Sequence, residues 1–277
     1  MSVPASVEII NPAVRRGPFR AAIFDFDGTL SLVREGWCGL MADIGLSVLR
    51  ERTVIAEPEH LLRAVLEEEM LRLSGQPSIV QMGRLADIVQ TRGGRRPDSE
   101  ALLAAFYAAL SALTADRKRR LSDGTDAPDT WAVPGAHRVL LELQKRGVTL
   151  ILASGTDLPD VLLEAELLQL THFFEGRIYA PIPGGPAFRK HELFDRLLRE
   201  LAIPSEQLIS FGDGFAETVA IKQLGGVAVG LASVAVGHIG DNPLKRAMLM
   251  ELGADLIVRD YTEAELLVNW LWPVKRA

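Results

Sequence analysis

The chain has 277 residues, is 48% hydrophobic and carries a formal net charge of −6. That length suits one large or two ordinary domains with a substantial core, and the negative balance gives no general attraction to nucleic acid. No apolar stretch approaches the roughly 20 residues that span a bilayer, the opening residues lack the order of a secretory signal, and a lone cysteine, Cys38, fits a reducing cytoplasm.

In chain order, "PFRAAIFDF" (18–26) is short, continuous and apolar, which predicts a strand buried on both faces. The lead-in "NPAVRRGPF" before it reads as an edge extension. From about Ser31 to Thr130 the pattern turns helical, with apolar residues at three- and four-residue spacing in "HLLRAVLEEEMLRL" (60–73), "SIVQMGRLADIV" (78–89) and "SEALLAAFYAALSAL" (99–113). Ser74-Gly75-Gln76-Pro77 and Gly93-Gly94 break these helices, and Asp98 or Ser99 can cap the third. The basic runs at 92–96 and 117–120 read as solvated helix ends, without the interleaved aromatics of a base-stacking surface.

Beyond the linker "SDGTDAPDTWAVPG" (122–135), strands and helices alternate. A helix ends at Gly147 and the strand "VTLILASG" (148–155) follows. A helix over Leu158–Leu170 precedes the strand "GRIYA" (176–180). "KHELFDRLLREL" (190–201) is helical, "QLISFGDG" (207–214) a strand and "FAETVAIKQLG" (215–225) a helix. "GVAVGLAS" and "DLIVRDY" are two more strands, each followed by a helical segment. This alternation argues for a parallel sheet covered on both sides. The hundred or so helical residues after the first strand argue for an inserted domain. The expected division is an α/β core of 1–32 and 133–277 and a helical insert of 33–132.

Ligands of open parallel sheets bind beyond the carboxyl ends of the strands. The first strand ends in Asp25-Phe26-Asp27-Gly28-Thr29 and the second in Ser154-Gly155-Thr156-Asp157. The third leads to Arg189-Lys190, and the fourth ends in Gly212-Asp213-Gly214, with Glu217 four residues past Asp213. Crowded carboxylates repel one another unless a cation intervenes. An oxygen-only set without a His or Cys cluster favours a hard divalent ion, most naturally Mg²⁺. Ser154, the Gly155 amide and Lys190 are what a phosphate group needs, so the combination points to phosphoryl transfer to a carboxylate.

On these residues the chain resembles the haloacid dehalogenase superfamily of phosphatases, especially its phosphoglycolate-phosphatase-like branch. "DFDGTL" matches the first motif, "LILASG" the second, Lys190 the third and "GDGFAE" the fourth, in the expected order. The resemblance implies an α/β, Rossmann-like parallel sheet core with an inserted all-helical cap domain. It makes Asp25 the nucleophile that forms an aspartyl-phosphate, and Asp27 the general acid and then the base. Ser154, Gly155 and Lys190 would bind the phosphoryl group. The Asp27 backbone carbonyl, Asp25 and Asp213 would hold Mg²⁺. Glu217 stands where the motif usually has a second Asp, and is read either as a further metal ligand or as an exposed helix residue. Thr29 is read as fixing turn geometry.

Dehalogenases and phosphonate-cleaving relatives lack, as the resemblance implies, an acid at the place of Asp27, and a poor alkoxide leaving group needs the proton it supplies. The implied activity is hydrolysis of a small phosphorylated metabolite, a sugar phosphate or a phosphoglycolate-like acid, in the cytoplasm. Two other readings remain: a phosphosugar mutase, which shares every core residue, and a non-catalytic binding module. Only about 35 residues separate Ser154 from Lys190, too few for a second cap there. Arg34, Glu35 and Trp37 are candidates for lining the cleft or packing the hinge, with Gln81 and Arg84 as weaker cap candidates. Arg189 is set aside in favour of Lys190. His191 is expected on a helix exterior, Cys38 is a packed thiol, and Phe106-Tyr107 is a core-packing pair.

Overall fold

Seven strands form one sheet in the computed structural model, which describes residues 4–238 and 240–273. The outermost ends of the expected core segments 1–32 and 133–277 lie outside the described residues. The strands are β1 (Val7–Ile9), β2 (Ala21–Phe24), β3 (Thr149–Ala153), β4 (Ile178–Tyr179), β5 (Leu208–Gly212), β6 (Val227–Leu231) and β7 (Leu256–Val258), in the order β1-β7-β6-β5-β2-β3-β4. All neighbours are parallel except β1, which pairs antiparallel with β7. The fold is thus the α/β class expected. The β1 edge strand was not anticipated, because three residues are too few to display a period and it lies just ahead of the lead-in read as an edge extension.

Between β2 and β3 come α1 (Trp37–Arg52), α2 (Glu59–Leu71), α3 (Ser78–Thr91), α4 (Ser99–Ser122) and the short α5 (Pro128–Trp131). Then follow α6 (Ala136–Gln144), α7 (Leu158–Leu167), α8 (Thr171–Phe174), α9 (Lys190–Leu201), α10 (Phe215–Leu224), α11 (Pro243–Glu251) and α12 (Ala264–Leu271). Helices cover both faces of the sheet, which is why its strands read as unbroken apolar runs: Ala21, Ala22, Ile23 and Phe24 are all fully buried. One face packs on α6, α7 and α12, the other on α9 and α10.

The inserted helices have an apolar interior of their own, built from Met41, Leu49, Leu66, Met82, Leu85 and Phe106 among others. Asp98, rather than Ser99, caps α4 by accepting the Glu100 amide at 3.1 Å. Two chain segments join this cap to the sheet. They pair through Leu32 N–H to Trp131 O (2.7 Å) and Val133 N–H to Leu30 O (2.9 Å). Arg117 of α4 locks the pair by donating to the Val33 and Glu35 carbonyls at 2.8 Å each, while its guanidinium stacks on Trp131.

Register places the site. Phe24 lies level with Leu152 of β3 and Phe211 of β5. The residues just past these strands, Asp25, Ser154 and Asp213, therefore emerge on one rim.

Candidate active site

Asp25 continues β2 by one residue, its amide donating to Phe211 O at 2.9 Å, and it is 4% exposed. Lys190, the first residue of α9, is equally buried and sends Nζ to within 2.5 Å of Asp25 Oδ1 and 2.8 Å of Glu217 Oε2. Burial disfavours the charged lysine, but the two carboxylates outweigh it and hold its pKa above the ordinary value. Burial pushes the Asp25 carboxyl well up, against the pull of Lys190 and with Glu217 and Asp213 adding to it.

Glu217 is 1% exposed, which removes the exposed-helix reading. Its Oε1 accepts the Gly214 amide at 2.6 Å, tying down the first turn of α10, while Oε2 faces Lys190. Asp213 is held differently: Oδ2 lies 2.7 Å from Lys245 Nζ and Oδ1 accepts Ser74 Oγ at 3.4 Å. Lys245 comes from α11 and also donates to Ser233 Oγ at 3.2 Å, and that hydroxyl donates to the Gly28 carbonyl at 2.5 Å. Gly28 itself has φ +74, and a Cβ there would sit 2.0 Å from Asp213 Oδ2, so the first loop can cross over Asp213 only as glycine.

Asp27 faces the same space. Its Oδ2 accepts Thr156 Oγ1 at 2.7 Å, whereas Oδ1 has no hydrogen-bond partner among the described residues and lies 3.8 Å from Arg34 Nε. Burial raises its pKa to about 6, opposed by Arg34 and assisted by Glu164. A carboxyl so tuned can hold a proton and release it near neutral pH. Ser154 is buried, and its Oγ accepts the Thr156 amide at 3.0 Å.

Asp25, Asp213 and Glu217 each offer one oxygen, and these lie within 4.8 Å of one another. An all-carboxylate set of this spacing fits a hard divalent cation such as Mg²⁺. The carboxylate of Asp27 is not in the group. Both Glu217 oxygens already hold the Gly214 amide and Lys190, so direct ligation by Glu217 competes with those bonds.

The cap closes the site from above. The loop Ser74-Gly75-Gln76-Pro77 sits on the rim, with Ser74 O accepting the Phe215 and Ala216 amides at the start of α10. Contact is so close that a Cβ on Gly155 would lie 2.9 Å from Gly75 O. A cavity of about 60 Å³ remains between cap and core, bordered below by Asp25, Asp27, Ser154 and Gly155 and above by Trp37, Met41, Gln81, Phe106 and Leu110. Arg34 enters from the side. Its guanidinium forms a fork to both oxygens of the fully buried Glu164 of α7 (2.8–3.0 Å), which also receives Lys118 Nζ from α4 at 2.7 Å.

The sequence-predicted residues Asp25, Asp27, Ser154, Gly155, Lys190, Asp213 and Glu217 thus converge. Arg34, Trp37 and Gln81 line the cavity. Glu35 borders a different cavity, on the far side of Trp37. Arg84 is turned out to pair with Glu69 at 2.8 Å and has no place at the site. Arg189 is exposed and paired with Glu192, and His191 is exposed as expected. Thr29 is fully buried with its hydroxyl unpartnered, so backbone bonds, not its side chain, hold the turn. Phe106 packs in the cap and also faces the cavity, while Tyr107 donates to Asp157 at 3.4 Å. Burial pushes the Cys38 thiol up to about 12, which disfavours its thiolate. Sequence reasoning missed Ser74, Lys118, Thr156, Glu164, Ser233 and Lys245. Only Thr156, adjacent to a motif, carried a local signal.

Among family models, that of haloacid dehalogenase-like hydrolases matches residues 19–225. A haloacid dehalogenase family hydrolase from Deinococcus radiodurans R1, solved with phosphate and sodium, is 22% identical over 94% of this chain and 99% of its own, with a TM-score of 0.56. A predicted phosphoglycolate phosphatase from Haemophilus somnus is 16% identical over 88% of this chain and 96% of its own (TM-score 0.55). β-Phosphoglucomutase from Clostridium difficile is 15% identical over 89% and 93% (TM-score 0.58). Likenesses at these identities speak to the fold. No curated protein matches the chain.

Proposed function

Because the chain belongs to the haloacid dehalogenase-like hydrolase family, we propose that it is a Mg²⁺-dependent phosphatase of small phosphorylated metabolites, working in the cytoplasm through an aspartyl-phosphate. The observation that carries this reading is the pairing of two differently held acids in one cavity. Asp25 is fixed through Oδ1 by Lys190, and Asp27 keeps an unpartnered Oδ1.

In the first step the Asp25 carboxylate attacks phosphorus through Oδ2, since Oδ1 is held by Lys190. The ester P–O bond breaks and Asp27 gives its proton to the departing alkoxide. In the second step Asp27, now ionised, takes a proton from water as the water oxygen attacks phosphorus. Phosphate leaves and the Asp25 carboxylate is restored. Ser154 Oγ–H, the Gly155 amide and Lys190 supply donors and charge to the phosphoryl oxygens. Asp25, Asp213 and the Asp27 carbonyl would hold Mg²⁺, with Glu217 steadying Lys190 beside them. The ion supplies charge neutralisation between the carboxylates and the phosphoryl group. Thr156 orients the Asp27 carboxyl through the bond at 2.7 Å.

Phosphate release from a panel of phosphomonoesters, with Mg²⁺ and with chelator, tests the proposal. Turnover that survives exhaustive metal removal would discard the mechanism. Asp27→Asn should cost about 10²–10⁴ in rate with alkyl phosphates. It should cost much less with p-nitrophenyl phosphate, whose leaving group needs no proton. An equal loss with both esters would deny Asp27 the role of acid. Gly155→Ala, whose methyl would press on Gly75 O, should lower kcat/KM about tenfold by holding the cap loop off the rim. Its thermal midpoint should barely change. Unaltered kinetics would mean that closure does not depend on this contact.

A further inference from the structure

We propose, resting on the phosphatase reading, that the alcohol released is small and uncharged, a polyol or sugar, and that esters with a second anionic group are rejected. The basis is a count of what faces the leaving-group half of the cavity. Its cap wall is uncharged apart from Arg34: Trp37, Met41, Phe106 and Leu110 are apolar, and Ser74, Gln76, Ser78 and Gln81 are neutral and polar. Among the described residues Arg34 is the one cation lining it, and Arg34 is already spent: Glu164 takes it by the two-pronged contact, Asp160 lies at 3.2 Å and Asp27 at 3.8 Å.

The cations behind the wall are spent as well. Lys118 is bound to Glu164 at 2.7 Å and Lys245 to Asp213, while Lys190, beside Asp25 and Glu217, serves the transferring phosphoryl group and not the leaving group. A carboxylate or second phosphate on the substrate would be stripped of water without a partner, close to Asp27. An uncompensated buried charge of that kind is strongly disfavoured. A neutral hydroxyl meets no such barrier. Gln81 commits its Nε2 to the Met70 carbonyl at 3.2 Å, which leaves its side-chain oxygen to accept from a substrate hydroxyl. Cap and core both border this space, so the alcohol must fit between them. The same count disfavours a phosphosugar mutase, whose bisphosphate needs a second cationic pocket.

The test compares matched esters by kcat/KM with Mg²⁺: hydroxyethyl phosphate against phosphoglycolate, and a hexose monophosphate against its bisphosphate. The expected preference for each neutral member is about tenfold or more. Equal or better turnover of the acid or the bisphosphate overturns the inference and leaves the phosphatase reading intact. If no ester releases phosphate, the phosphatase reading fails. Calorimetry on the same esters then decides: at least tenfold tighter binding of the neutral members upholds the inference, and equal or absent binding overturns it.

Glu164→Gln removes the two-pronged anionic partner of Arg34 at constant shape, leaving Asp160 and Asp27 beside it, and should cut the preference severalfold. An unchanged preference in folded protein would remove Arg34 neutralisation as its cause. Ser78→Lys, at a half-buried cavity position, installs an unpaired cation and should shift selectivity the same way, which keeps the test open if Glu164→Gln does not fold.

Discussion

Asp25→Asn is expected to reduce phosphate release by on the order of 10⁴–10⁶-fold, the scale on which removal of a nucleophile acts. The amide keeps the shape of the carboxylate but cannot attack phosphorus. Lys190 retains Glu217 Oε2 at 2.8 Å, so the buried cation is not orphaned and the fold should persist. The check has two parts. Steady-state kinetics should show the loss while circular dichroism and thermal unfolding stay close to the parent. Borohydride trapping of enzyme caught during turnover should mark Asp25 in the parent and leave the variant unmarked. Label on another residue, or substantial turnover by the variant, would end the aspartyl-phosphate route.

Lys190→Met carries the largest expected effect on stability. The lysine is 1% exposed at its side chain and is the cation shared by Asp25 and Glu217. Removing one partner of a buried ion pair costs about 3–5 kcal/mol, because the remaining charge stays buried and uncompensated. At this chain length that is a fall in thermal midpoint on the order of 10 °C. The measurement is thermal unfolding in chelator, where no metal can offset the bare carboxylates. Its control is the neighbour Arg189→Met, which breaks only a pair 70% and 61% exposed and should hardly move the midpoint. If the two variants unfold alike, the buried triad does not contribute as described. Activity should fall with Lys190→Met as well, since the same ammonium serves the phosphoryl oxygens.

Much of this site was legible in the sequence because its residues sit at strand ends, where chemistry and chain direction coincide. Asp25 and Asp27 follow an apolar run, Ser154 closes another, and Asp213 ends a third. Each strand predicts its own terminus, and parallel order sends those termini to one rim. Lys190 is legible only as the start of a helix. Nothing in "FRKHEL" separates it from Arg189, and it is the burial of one and exposure of the other that decides.

Other parts had no local signature. Lys245 in "NPLKRAM" and Glu164 in "LLEAELL" occupy positions where a solvated helix face would also put charge, yet both are buried. The "SGQP" break between α2 and α3 reads as a helix stop, but its job of seating the cap on the α10 N-terminus depends on where α10 lies.

By itself, then, the sequence determined the α/β class, the interrupting helices and the acids at the strand ends. These rest on hydrophobic period and on neighbours along the chain, which covalent order dictates. The tertiary structure alone decided which charges are quenched: Arg34 by Glu164, Asp213 by Lys245, Asp25 and Glu217 by Lys190. Charge is a property of a residue, but desolvation and pairing are properties of a place: partners more than a hundred residues apart meet only when the sheet and its helices assemble, as for Asp25 and Lys190, or when the cap docks on them, as for Arg34 and Glu164 or Ser74 and Asp213.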